Sequence, residues 1–188
     1  RWFVLALVSL NYFTLYLHRN LLSYIQPSLV GELGLSDTQL GLLQQAFLLP
    51  YCLAQIGVGY LSDRFRRRSV LVTSLTLSVV SLACSGLAHG FVEIFVWRVL
   101  LALAQAASVP AIAGIMADCF SPKIRSTAVA IYLMSYNAAV IAAGWAGGSI
   151  AETPSWTLPL VGDLAGWRTA MLAFSLIGAG VLVILSLF

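Results

Sequence analysis

Five residues near the start of the chain, Tyr12, Tyr16, Arg19, Ser23 and Gln26, are spaced by four, three, four and three positions. That spacing sets them on one face of a helix, with Asn11 and His18 on its flank. The chemistry such a face offers is anion recognition. A guanidinium presents a planar fork of N–H donors that matches a carboxylate or phosphate, and hydroxyls add single donors. His18 adds a proton-dependent charge, because an imidazole protonates in mildly acidic conditions. Arg19 stands some eighteen residues into an apolar run, where an arginine costs about 3 kcal/mol unless it meets water or a partner. No acid lies near the middle of any apolar run, so the face is expected to line a cavity, with a packed neutral histidine as the alternative for His18.

Further polar groups could complete that wall. Gln44, Tyr51 and Gln55 share a face of the second run, Arg98 and Gln105 lie two turns apart on the fourth, and Tyr132 and Tyr136 one turn apart on the fifth. Gln105 is the better cavity candidate; Arg98 falls nearer the outer end, where it could snorkel or pair with Glu93. The candidate substrate-binding set is thus Arg19, His18, Tyr12, Tyr16, Ser23, Gln44, Tyr51, Gln105 and Tyr136.

The elements that must hold these residues follow from composition. Of 188 residues 60% are hydrophobic and 9% charged, far from the roughly 25% charged of soluble domains. The chain reads as an all-α membrane protein with six transmembrane helices, at about residues 2–30, 39–62, 69–88, 91–117, 124–150 and 167–188. Ser36 with Gln39 forms a capping-box pattern opening the second helix, and Ser121 with Pro122 an N-cap and first-turn pair opening the fifth. Gly144 and Gly148 form a G-x-x-x-G suited to close helix packing. ETPSWTLPLVGDLAG reads as an external loop touching the interface through Trp156. Cys52, Cys84 and Cys119 show no metal-ligand spacing. No catalytic set, metal cluster or phosphate loop appears, so neither an enzyme nor a cofactor is expected. The net charge of +3 marks no nucleic-acid binder, since the basic residues cluster in membrane loops.

Sorted by loop, Arg1, Arg64, Arg66, Arg67, Arg68, Lys123 and Arg125 share one side, while Glu32, Asp37, Glu93, Glu152 and Asp163 share the other with Arg168. The positive-inside rule then places both ends of the chain in the cytoplasm, in a plasma or inner membrane. Asp63 and Asp118 end the second and fourth runs. A carboxylate is unfavourable at a helix C-terminus, so each is expected to take a cationic partner.

GYLSDRFRRR resembles the loop signature G-x-x-x-D-[RK]-x-G-[RK]-[RK] of the major facilitator superfamily through Gly59, Asp63, Arg64, Arg67 and Arg68, with Arg66 in place of the usual glycine. The resemblance implies half of that fold, six helices in inverted 3+3 repeats, with substrate bound between two halves. The chain begins on Arg1 and stops after six spans, so a missing C-terminal half is expected as partner. It also implies a conformational latch of Gly59, Asp63, Arg64, Arg67, Arg68 and Asp118, closing the cytoplasmic side when the transporter opens outward.

The stretch Arg98 to Tyr132 is similar to the fourth-to-fifth helix region of spinster-like transporters and anion:cation symporters, and NYFTLYLHRN loosely to their first-helix N-Y-x-x-x-R signature. Both groups commonly place an acid before the first-helix arginine and another in the fourth helix, where this chain has His18 and Gln105. A lone first-helix arginine also resembles organophosphate:phosphate exchangers. The resemblance implies a secondary transporter of a small organic anion, in contact with the lipid bilayer and with a coupling ion, proton or sodium, left open. The alternatives are a spinster-like exporter of a lysolipid or other amphiphile, and a non-transporting scaffold or receptor-like module.

Overall fold

The computed structural model describes residues 1–153, 156–158 and 162–187, with backbone alone for residues 59–64, 156–158 and 162–163. Helices α1 (Trp2–Leu33), α2 (Asp37–Arg64) and α3 (Arg67–Gly86) form the first three spans. The fourth is split into α4 (Phe91–Ala106) and α5 (Ser108–Cys119). The fifth comprises α6 (Pro122–Ala142), a π-helical turn (Ala143–Gly147) and α7 (Gly148–Glu152), and the sixth is α8 (Gly166–Leu187). Asp37–Val58, Arg67–Gly86, Phe91–Cys119, Pro122–Glu152 and Gly166–Leu187 are long and apolar enough to cross a hydrocarbon core. At 32 residues α1 is long enough too, but Asn11, His18, Arg19 and Asn20 interrupt its apolar character.

Local chemistry explains the ends and breaks. The Ser36 hydroxyl accepts from the Gln39 N–H at 3.3 Å and the Gln39 side chain accepts from the Ser36 N–H at 2.9 Å, closing the capping box. Ser121 occupies the N-cap of α6 in an extended conformation before Pro122, but its hydroxyl makes no cap hydrogen bond. The break at Ala107, which the apolar pattern did not reveal, has its cause three residues on. Pro110 has no N–H, and its ring crowds the carbonyl of residue 106. The Ser74 hydroxyl donates to the Ala104 carbonyl at 2.6 Å, so in its 2.5 Å contact with Ser108 the Ser108 hydroxyl is the donor. Expected as loop, the connection after α7 carries a short antiparallel hairpin, β1 (Trp156–Leu158) with β2 (Gly162–Leu164); the side chains of Trp156 and Asp163 lie outside the described residues.

With the spans counted in chain order, the second packs on the fourth and the first on the fifth, the third on the fourth and the first on the sixth, and the third on the sixth. This pattern maps onto itself when the first three spans are exchanged with the last three, as expected of inverted repeats. The largest core joins Leu17, Leu21, Leu22, Ile25 and Leu29 of α1 to Trp167, Met171 and Phe174 of α8. Lipid tails are as apolar as leucine, so close packing and interhelical hydrogen bonds, rather than exclusion of water, hold such a core. The G-x-x-x-G expectation is corrected in register. A Cβ on Gly144 would lie 3.1 Å from Tyr24 and one on Gly147 2.5 Å from Leu21, while Gly148 has nothing within 4 Å. The close contact is therefore made by Gly144 and Gly147.

Candidate functional site

Tyr12, Tyr16 and Arg19 of α1 meet Tyr51 of α2, Gln105 of α4, and Ser108 and Val109 of α5 around a recess of about 230 Å³. The guanidinium of Arg19 lies 4.7 Å from the ring centroid of Phe47, 5.0 Å from that of Tyr51 and 5.4 Å from that of Tyr16. Cation–π attraction to a ring face uses none of the five N–H donors of a guanidinium, which keep their capacity for an acceptor. Among the described residues no carboxylate lies within ion-pair distance of Arg19.

Arg98 is placed differently from the expectation. It neither snorkels outward nor pairs with Glu93, whose carboxylate instead accepts from the His89 N–H at 2.8 Å. Arg98 is 5% exposed, lies 5.3 Å from the Phe47 centroid and donates to the backbone carbonyl of Arg19 at 3.0 Å, while its Nε has no partner among the described residues. Burial beside α1 follows from the packing of the fourth span against the first. Because both guanidinium groups approach the Phe47 ring, they are no more than about 10 Å apart. Phe47 is the component that sequence reasoning missed, since a phenylalanine in an apolar span carries no signal.

The remaining candidates divide. Gln105 donates to the Leu15 carbonyl at 3.1 Å from the edge of the recess. Tyr12 packs on Tyr16 at 4.5 Å and on Tyr132 at 5.0 Å, and Tyr16 on Tyr136 at 4.9 Å, so α1 and α6 share a tyrosine wall. Gln44 donates to the Ser23 hydroxyl at 3.2 Å, about a turn beyond Arg19. His18 points elsewhere. It is fully buried, with Nε2 3.0 Å from the Phe174 carbonyl of α8, and a Cβ on Gly178 would lie 2.6 Å from its ring. The structure thus separates His18 from the arginine recess and seats it between helices. Asn11, on the same flank, is fully buried and both its side-chain polar atoms lack partners among the described residues.

In the charged loop, Arg67 pairs with Asp118 at the end of α5, answering the need of a carboxylate at a helix C-terminus for a cation. The approach depends on Gly114, where a Cβ would lie 2.5 Å from Arg67 Nε. Arg68 does not join this pair; it donates to the Ser186 carbonyl of α8 at 2.6 Å. The side chains of Asp63 and Arg64, and the surroundings of Gly59, lie outside the described residues. Arg125, not singled out from sequence, donates to the carbonyls of Ala117 and Phe120 at 3.1 and 3.3 Å and caps α5. At the opposite end, Glu32 accepts from Trp167 Nε1 at 2.6 Å and from Arg168 Nε at 3.1 Å.

Comparison with known proteins agrees with this architecture. Over 180 residues the chain is 28% identical to a probable sulfoacetate transporter of Cupriavidus necator, covering 96% of this chain and 39% of that protein. Over 178 residues it is 31% identical to an MFS-type efflux pump of Mycolicibacterium smegmatis, covering 94% and 37%. A probable galactarate/D-glucarate transporter of Pseudomonas putida is 33% identical over 138 residues, covering 70% and 30%. The crystal structure of a bacterial homolog of the human lysosomal transporter Spinster, inward-facing and occupied, superposes with a TM-score of 0.91 at 26% identity, covering all of this chain and 44% of that one. The chain therefore spans about two fifths of the length of these relatives. The family model described as Major Facilitator Superfamily matches residues 8–188. Six helices in this pairing, the charged loop between the second and third, and that match together make the chain a member of the major facilitator superfamily.

Proposed function

We propose that this chain is the N-terminal half of a secondary transporter for a small organic anion, working by alternating access with a second six-helix half. The observation that carries the proposal is Arg19, a cation caged by three aromatic rings with no carboxylate at ion-pair distance among the described residues. Arg98 places a second guanidinium on the same phenylalanine. Arg19 in the recess and Arg98 buried beside it are stabilised most by what enters carrying negative charge. Relatives named for sulfoacetate and galactarate/D-glucarate support this reading. Both ends of the chain face the cytoplasm by the loop charges. The latch residues Asp63, Arg64, Arg67, Arg68 and Asp118, with Gly59, act at the cytoplasmic side rather than on substrate. The described lining of the recess holds no carboxylate.

In this reading the in-plane donors of Arg19 take the substrate's acid group in a bidentate pair, while the tyrosine hydroxyls and Gln105 orient the remainder. A second reading, an exporter of a lysolipid or similar amphiphile, draws on the tyrosine wall of α1 and α6, which offers an apolar surface next to the cation. Binding assays on the assembled transporter separate the two. Arg19→Lys keeps the charge but loses the fork, and affinity for a small carboxylate or sulfonate should fall by about ten- to a hundredfold, the worth of a charged hydrogen-bonded pair. Unchanged affinity, or a preference for neutral or cationic compounds, sinks the anion proposal. Preference for a lysophospholipid over its headgroup alone selects the second reading.

A further inference from the structure

The loop arginines that flank Arg67 have surroundings of their own. Arg66 and Arg68 open onto a polar pocket of about 710 Å³ completed by Ser69, Thr73 and Ser186. Arg66 makes no ion pair among the described residues, and Arg68 spends donors on the Ser186 carbonyl alone. A guanidinium carries five N–H donors, so capacity remains at both. Among the described residues no side chain caps the first turn of α3, and the N–H groups of that turn add positive potential at the same place.

Apolar grooves continue from this pocket on either side of α3. One, about 500 Å³, runs between α1, α3, α5 and α8 along Val8, Leu71, Ile115 and Leu185, and shares Arg68 and Val72 with the polar pocket. The other, about 810 Å³, runs between α2, α3 and α4 along Val58, Leu77 and Leu103, and shares Ser69 and Thr73 with it. Between the grooves α3 turns Val80 outward, 47% exposed. This is the lipid-facing profile of a span, and it begins where an apolar helix enters the membrane boundary. From Arg68 to Leu77 the helix rises about 13 Å, enough to accompany the upper part of an acyl chain.

We propose that this face of α3 is a binding site for an anionic diacyl phospholipid, its phosphate held by Arg66 and Arg68 and its two acyl chains laid in the two grooves astride the helix. Basic pockets between transmembrane helices recognise anionic headgroups through the same electrostatics. A free phosphate accounts for the arginines but leaves both grooves unused, whereas a zwitterionic lipid fills the grooves but brings no net negative charge to the two arginines. The inference is independent of the substrate carried at Arg19, which lies about halfway along α1, and a failed anion assay does not touch it.

Native mass spectrometry of the intact protein in mild detergent tests it, with dioleoyl-phosphatidylglycerol and dioleoyl-phosphatidylcholine supplied at equal mole fraction. Phosphatidylglycerol should be retained preferentially, and the double substitution Arg66→Gln with Arg68→Gln should lower its retention by about fivefold per arginine, about twenty-fivefold in all. Val72→Trp keeps both cations but obstructs the junction of pocket and groove, and should also release the lipid. Glycerol-1-phosphate in tenfold molar excess, the headgroup without chains, should leave the bound lipid in place. Equal retention of the two lipids, a preference that survives loss of both arginines, full retention in Val72→Trp, or displacement by glycerol-1-phosphate overturns the site.

Discussion

His18 and Arg19 are consecutive, yet a helix turns by about 100° per residue and sends the two side chains to different neighbours. Arg19 turns to the aromatic cage, and His18 to Phe174, Val79 and Gly178. A fully buried ring bonded to a backbone carbonyl contributes to packing, and His18→Gln should lower stability by about 1–3 kcal/mol through the loss of that partner. Thermal unfolding in detergent measures the loss, while the pH dependence of anion binding should be the same in wild type and variant. A pH dependence that vanishes in His18→Gln would return the histidine to the cavity. At this scale the sequence was informative wherever helical spacing carried polarity. The face of Tyr12, Tyr16 and Arg19 could be read directly because polar groups in a span are costly without a purpose. Phe47 could not, since its role arises only when α2 brings its ring beneath two guanidinium groups. Nor could the burial of Arg98, because depth along a span says nothing of which neighbour stands opposite.

The helices show how local chemistry was half legible. Capping of α2 was visible in Ser36 and Gln39, and the need of Asp118 for a cation followed from its place at a helix end. That the partner is Arg67 rather than Arg68 depends on Gly114, one turn before Asp118, whose missing side chain opens the path. Gly114→Ala should push the flexible end of Arg67 aside at little cost to the fold, since an exposed pair is worth about 0–1 kcal/mol. Its effect on conformation is larger in proportion. About 1 kcal/mol shifts a two-state ratio about fivefold, so a cysteine introduced on the basic-loop side should become more accessible to a membrane-impermeant reagent. Asp118→Asn should do the same, and the double variant should add nothing further, because both act on one pair. Additive effects of the two would detach Gly114 from the Arg67–Asp118 pair. The split of the fourth span escaped the apolar pattern for a plain reason: hydropathy at Pro110 is unremarkable, and only the missing N–H matters.

For the molecule as a whole, fold class followed from the long apolar runs and the loop charges, whereas the pairing of helices required coordinates. That pairing sets the two end-of-helix ion pairs in correspondence. Exchange the first three spans with the last three, and Arg67–Asp118 becomes Arg168–Glu32. Each joins the end of the opening helix of one triplet to the start of the closing helix of the other, and the two stand at opposite ends of the bundle. The pairs mark where the triplets meet at either end, while the packing of α1 on α8 between them holds the six helices as one body. Spin labels on α2 and α6 should accordingly keep one separation with and without a bound anion, and should keep it when Asp118→Asn and Glu32→Gln are combined. A separation that follows ligand in the wild-type protein would contradict this. On the proposed reading, the motion of transport falls to the boundary with a second half, against which these six helices turn as a single lever.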